Sequence, residues 1–239
     1  MEAPTNNNSF PFQLDRVAFY GRTLSEYVKM FDIDDISAFK DYSILDCPSG
    51  ASSFVAEAKN KYGIHAVGCD PLFGEGLNTL AERGEADIEY VMQRVSRIPA
   101  YYNWDFYPSI KVLREYRIQA LRQVISDYPI GIIERRYIKA ELPLLPFDDK
   151  SFDLVLSGHF LFTYSHKFDF LFLLSSILEL FRVCSREVRI YPVHGSNAQP
   201  YEHMVELLSS LKVHGIVYHL IPVPFEFQRG SNQMLRLIR

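Results

Sequence analysis

Two short apolar runs, each closed by an aspartate and a proline-containing turn, most narrow what this chain can fold into. Tyr42-Ser-Ile-Leu-Asp46 ends at Pro48-Ser49-Gly50, and Ile64-His-Ala-Val-Gly-Cys-Asp70 is closed by Pro71. Between them Phe54-Val-Ala-Glu-Ala58 has the look of a helix. Runs this short and this apolar suit strands buried on both faces, and a helix between two of them suits a parallel crossover. The predicted class is therefore α/β, with strands and helices alternating along the chain.

The alternation resumes later. Tyr137 to Ala140 and Phe152-Asp-Leu-Val-Leu-Ser157 are predicted strands, followed by an apolar helix from Phe168 to Arg182. A strand at Val188-Arg-Ile-Tyr-Pro192 and a helix from Tyr201 to Leu211 come next. Ile216 to Val223 and Gln233 to Ile238 flank a turn at Arg229-Gly230-Ser231, so a closing hairpin is expected, with the final strand antiparallel to the rest. Together these make a mostly parallel seven-stranded sheet covered on both faces.

Residues 73–135 break the rhythm: they contain no convincing strand but at least two helical stretches, the clearer from Ser109 to Tyr128. Ahead of that helix lies an aromatic knot, Tyr101-Tyr102-Asn103-Trp104-Asp105-Phe106-Tyr107. So long a connection is expected to be a helical cap rather than a loop. At the other end, Met1 to Ser9 are expected to form a loose tail, and Thr23 with Glu26 forms a capping-box pattern ahead of Leu24, Tyr27, Val28 and Phe31 at helical spacing. The organisation expected is a tail and helical segment over 1–41 and one ligand-binding α/β domain over 42–239.

Composition removes several function classes. The formal net charge is −4 with no block of like charge, so neither the basic stripe of a nucleic-acid binder nor that of a membrane-surface protein is present. The apolar stretch Phe168 to Phe181 carries Asp169 and Glu179 and is too short to cross a bilayer. Three cysteines without CxxC or zinc-ligand spacing, and an N-terminus without a signal-peptide pattern, lead us to expect a cytoplasmic location, no metal and a small-molecule substrate. Aromatic residues reach 14%, enough for an aromatic core or for an aromatic-walled pocket.

In open parallel sheets, ligands lie beyond the carboxyl ends of the strands, where strand order reverses. The residues ending the predicted strands are Asp46, Asp70, Glu141, Gly158-His159 and His194. A carboxylate accepts hydrogen bonds only and can take two from a pair of ribose hydroxyls, and such charge-assisted bonds are about twice as strong as neutral ones.

Ile44-Leu-Asp-Cys-Pro-Ser-Gly-Ala-Ser-Ser-Phe54 resembles the first motif of the class I S-adenosylmethionine-dependent methyltransferases. Leu142-Pro-Leu-Leu-Pro-Phe-Asp-Asp-Lys-Ser-Phe-Asp-Leu-Val-Leu-Ser157 resembles a later segment of the same superfamily more closely. The resemblance spans about residues 40–190. It implies a Rossmann-like class I methyltransferase fold and S-adenosylmethionine as cofactor. It also implies Asp46 near the cofactor's amino-acid end, Gly50 under the ligand, Asp70 on the ribose, and Glu141 with the Leu142 backbone on the adenine. Pro48, Pro71 and Ser157 complete the candidate cofactor-binding set. Pro48 and Ser52 depart from the superfamily's pattern, standing where glycines are common; Gly50 still allows close backbone approach.

Candidates for chemistry on the substrate are His159 and His194, which follow predicted strands and titrate near neutrality, and Tyr20 and Trp104 in two aromatic segments that could form a lid. Methyl transfer to a small molecule is the leading expectation. Attack on another carbon of the same sulfonium, by cyclisation or lyase chemistry releasing methylthioadenosine, is an alternative. A non-catalytic binding protein of the same fold is another. A dinucleotide-binding reading is weaker, because G-x-G-x-x-G is absent.

Overall fold

The computed structural model describes residues 14–239, so the tail expected over Met1 to Ser9 lies outside the described residues. The chain opens with helix α1 (Leu24–Met30), strand β1 (Ser43–Asp46), helix α2 (Phe54–Tyr62) and strand β2 (His65–Asp70). Helices α3 (Leu77–Val95) and α4 (Ile110–Ile133) follow, then strands β3 (Tyr137–Lys139) and β4 (Phe152–Gly158). Helix α5 (Phe170–Val183), strand β5 (Cys184–Tyr191), helix α6 (Met204–Val213) and the hairpin of β6 (Val217–Pro222) and β7 (Gln233–Ile238) complete it. Strand β5 begins earlier than the sequence suggested. Its first turn of residues is polar, which hid it. Glu187 there accepts hydrogen bonds from Arg189 (3.1 and 2.6 Å) and from Arg236 of β7 (2.5 Å), so charged residues sit within the ladder as ion pairs.

The sheet order is β3-β2-β1-β4-β5-β7-β6. Strands β1 to β5 run parallel, and β7 is antiparallel to both β5 and β6. From β1 the chain moves outward through β2 to β3, then returns to place β4 on the other side of β1. The order reverses between β1 and β4, and the gap above their carboxyl ends is where such sheets bind ligands.

Alternate residues of each strand serve opposite faces, as period-two geometry demands. Ile44, Ala66, Leu154 and Leu156 join one apolar cluster with residues of α1 to α4. Leu45, Val67, Val155 and Val188 join the other, with residues of α5 and α6. Residues Leu14, Phe19, Leu24 and Tyr27 belong to the first cluster, so the segment ahead of β1 packs into the same core as the sheet.

Helix α1 is fixed by charge as well as by packing. Glu26 accepts from the Thr23 amide (2.8 Å) and hydroxyl (2.9 Å), which closes the predicted capping interaction. Its other oxygen accepts from Arg117 Nη2 of α4 (2.6 Å) and from the Tyr107 hydroxyl, while Arg117 also donates to the Gly21 carbonyl (2.9 Å). Both charged groups are buried, at 0% and 1% exposure. Helix α3 adds a second tie: buried Asp87 accepts from the Phe19 amide (2.8 Å), from Arg83 (2.7 Å) and from Arg16. Residues 14–23 are thus clamped between the cap helices and the sheet. Removing one member of a buried pair leaves the other charge uncompensated. Glu26→Gln should therefore cost about 3–5 kcal/mol in urea denaturation, and Glu26→Leu combined with Arg117→Met should cost less than either single change.

Candidate functional site

A cavity of about 460 Å³ lies above the carboxyl ends of β1, β2, β4 and β5. That volume is in the range of sites for small organic ligands and cofactors. Its floor comes from the turns that follow the strands: Pro48, Ser49 and Gly50 after β1, Asp70 and Pro71 ending β2, and His159 after β4. Its roof is the clamped N-terminal segment, including Tyr20 and Arg22, with Val91 and Val95 of α3 and Arg117 of α4.

The turn after β1 closes against β2. Gly50 has φ +53°, the left-handed region that favours glycine, and a β-carbon there would lie 3.1 Å from the Tyr20 carbonyl oxygen. Its amide donates to Asp70 Oδ2 (3.0 Å), and the Leu72 amide donates to Asp70 Oδ1 (3.0 Å). Burial pushes the Asp70 carboxyl up to about 6, against the opposing pull of the Leu72 and Gly50 amides. A carboxylate on the cavity wall is thereby held in place with lone pairs still to offer.

Asp46 has a different position from the one expected. It is fully buried beneath the wall and does not line the cavity. The Tyr27 hydroxyl donates to both of its oxygens (2.9 and 3.1 Å), and Ser49 Oγ donates at 2.8 Å. The Tyr27 ring itself stacks on Phe54, with centroids 4.8 Å apart. Asp46 thus anchors the turn and α1 from behind. Burial raises its carboxyl to about 7, opposed by the Ser49 and Tyr27 hydroxyls.

The other sequence candidates divide in the same way. Tyr20, Pro48, Pro71, Glu141 and Leu142 line the cavity with Gly50, Asp70 and His159, and Glu141 is solvent-exposed. Ser157, His194 and Trp104 do not line it. Ser157 lies within β4 and is 1% exposed. His194 is buried at a bridge to Pro200, beyond the end of β5. Trp104 donates to the Pro99 carbonyl (2.9 Å) and packs edge-on against Tyr102 and Phe227, whose residues are the ones on the wall.

His159 also adopts a left-handed backbone, φ +53°, with its amide donating to the Tyr191 carbonyl (2.6 Å). Burial, then the Arg22 and Arg117 charges, hold its imidazole well below the usual histidine range. The ring is therefore neutral at pH 7, a hydrogen-bonding group and a weak base. Sequence reasoning missed Arg22, Arg117 and Ser231 on the wall. None belongs to a strand end, and each arrives through a fold-back of distant chain. Among the described residues, no group of three or more His, Cys, Asp or Glu is arranged to hold a metal, and no helix is long and apolar enough to cross a membrane.

No protein-family model matches the chain. An uncharacterised protein of Methanocaldococcus jannaschii is 28% identical over 221 residues, covering 92% of this chain and 95% of the relative. A crystal structure of a proposed S-adenosylmethionine-dependent methyltransferase from Methanococcus maripaludis aligns with 12% identity and a TM-score of 0.46, over 90% of this chain and 82% of that one. A S-adenosylmethionine-dependent methyltransferase of Aquifex aeolicus aligns with 14% identity and a TM-score of 0.41, over 89% and 90%. The strand order carries the assignment without them. With β1 to β6 all running one way, an antiparallel β7 slotted between β5 and β6, and helices on both faces, the chain has the Rossmann-like fold of the class I S-adenosylmethionine-dependent methyltransferases.

Proposed function

We propose that this protein binds S-adenosylmethionine in the cavity at the switch point and transfers its methyl group to a small molecule. The observation that carries the reading is Asp70: a carboxylate ending β2, on the cavity wall, tied to the Gly50 amide of the turn after β1. That arrangement offers a charged acceptor to a pair of ribose hydroxyls next to a turn where backbone can approach a ligand closely. Aromatic residues on the wall, among them Tyr20, Tyr164 and Tyr191, suit a sulfonium, since an aromatic face attracts a cation by about 0.5–2 kcal/mol once water is excluded. Glu141 and Leu142 stand at the rim beyond Asp70 as candidates for the adenine side.

When bound, the cofactor would supply a methyl group already activated by its sulfonium. The chain's own task is then to orient an acceptor and exclude water. The roof made by residues 14–22, clamped by Asp87 and Arg117, suits exclusion of water. His159, kept neutral, suits holding an acceptor through a hydrogen bond better than driving a proton transfer. An enclosed cavity and a net charge of −4 favour a small acceptor over a nucleic acid.

Two measurements test this. Calorimetric titration of the purified protein with S-adenosylmethionine should show binding that Asp70→Ala weakens by about 1.5–3 kcal/mol, the loss of a charged hydrogen-bond partner; an unchanged affinity in a folded variant would remove Asp70 from the site. Incubation with the cofactor alone should yield no methylthioadenosine, whereas its release would shift the reading to attack on another sulfonium carbon.

Affinity should also depend on pH, in a stated direction. The ionised Asp70 is the better acceptor for hydroxyls, and its carboxyl has been raised to about 6. Ligand binding then favours proton loss, so affinity should fall as pH drops through 6, with Asp70 alone contributing up to about tenfold per unit. Asp46, raised to about 7, acts in the same direction, because a cationic ligand favours its ionised form. Titrations in buffers of different ionisation enthalpy near pH 6.5 should register proton release on binding; proton uptake would contradict the assignment.

A further inference from the structure

Of the arginines on the cavity wall, Arg22 is the one without an ion pair among the described residues; it lies 5.8 Å from the Tyr20 ring centre. Its guanidinium makes no hydrogen bond and no ion pair among the described residues, and its Nε is shielded and without a partner. The other arginines on the wall are compensated: Arg117 by Glu26 and Arg83 by Asp87. Neither Glu26 nor Asp70 accepts a hydrogen bond from Arg22: Glu26 takes its four from Arg117, Tyr107 and Thr23, and Asp70 accepts from the Gly50 and Leu72 amides. Arg22 is half-buried with its Nε shielded, and a guanidinium held at a cavity wall without an ion pair is placed to take an anionic ligand.

The groups around Arg22 point the same way. Of seven buried side-chain polar atoms without partners among the described residues, four lie on this wall: Arg22 Nε, Arg117 Nε, His159 Nε2 and Ser231 Oγ. All four can donate a hydrogen bond and none carries negative charge. The Arg22 carbonyl accepts from the Ser52 hydroxyl (3.1 Å) and the Ser53 amide (3.0 Å), so Arg22 lies over the turn after β1, and across the cavity its charge reaches His159, Tyr164 and Tyr191. Phe160, Phe168 and Phe172 form part of the same wall, with the last two stacked at 4.3 Å.

We propose that Arg22 docks a carboxylate of the acceptor, so that the substrate is an organic acid with an apolar, ring-sized body. The acceptor role rests on the methyl-transfer reading; the carboxylate site does not. The flat guanidinium fork matches a carboxylate in two parallel hydrogen bonds, and one unanswered positive charge balances one negative charge. A phosphate dianion would leave an excess of negative charge in an enclosed site.

The probes are benzoate, its neutral isostere benzamide, and inorganic phosphate, titrated by calorimetry into wild type, Arg22→Met and Arg22→Lys. Benzoate should bind at least about tenfold more tightly than benzamide or phosphate, and Arg22→Met should lose at least about tenfold in benzoate affinity. Arg22→Lys should fall between, keeping the charge and losing the fork. Arg22→Met should lose more benzoate affinity than S-adenosylmethionine affinity, and benzoate should still bind wild type when S-adenosylmethionine is saturating; without ligand the variant should melt no lower than wild type, because the side chain forms no ion pair. Equal affinity for benzoate and benzamide, benzoate binding indifferent to Arg22→Met, or tighter Arg22-dependent binding of phosphate would each overturn the proposal. So would a joint tenfold loss of benzoate and S-adenosylmethionine affinity with the two ligands competing, since the carboxylate would then be the cofactor's own. Arg22-dependent benzoate binding in a wild type that fails to bind S-adenosylmethionine would uphold this site and remove the methyl-transfer reading.

Discussion

The buried pair of Glu26 and Arg117 is the contact on which the site's geometry turns. It joins the first helix, the roof segment through the Gly21 carbonyl, and the long cap helix α4 in one set of hydrogen bonds. Taken alone, two charges removed from water gain little over an apolar pair. What they provide here is position. With Tyr107 and Thr23 completing the carboxylate's bonds, residues 20–23 have one way to lie across the cavity, and Tyr20 and Arg22 are delivered to its wall.

Beneath that roof the sheet makes an ordinary two-faced core, and its ordinariness is useful. Both apolar clusters grip the strands along their length, so the strand ends are fixed points from which turns can project. The turn after β1 then meets β2 through Gly50 and Asp70, across the reversal in strand order. A polar group placed there is held by backbone amides rather than by mobile side chains, which is the kind of preorganisation a binding site needs.

Asp46 and Asp70 look alike in sequence, each closing an apolar strand ahead of a proline, yet they have different work. Asp70 reaches the wall because β2 ends beside the turn after β1 and leaves its carboxyl over the cavity. Asp46 is covered because Tyr27, from a helix ahead of β1 in the chain, lays its ring and hydroxyl over it. Nothing within the run Ile44 to Gly50 announces that cover. The same holds for Trp104, which sits one layer behind the wall because Tyr102 and Phe227 come between.

Local pattern was enough for the architecture. Short apolar runs, helical spacing and a closing hairpin dictated an α/β order with a mostly parallel sheet and an antiparallel last strand, because burial on two faces and period-two geometry act within a few residues of chain. The same logic located Gly50, Asp70 and His159 at strand ends, where turns must project. Local pattern was not enough where polar residues entered a strand, as at the start of β5, whose charges are matched by Asp153 of β4, by Arg189 and by Arg236 from a strand far along the chain. Nor could it find Arg22. A lone arginine between a glycine and a threonine has no signature, and its meaning comes from being folded into a cavity whose other arginines are already paired. Strand ends are set by neighbours in sequence, whereas the balance of charge in a cavity is set by whichever distant segments meet there, and tertiary structure alone decides that.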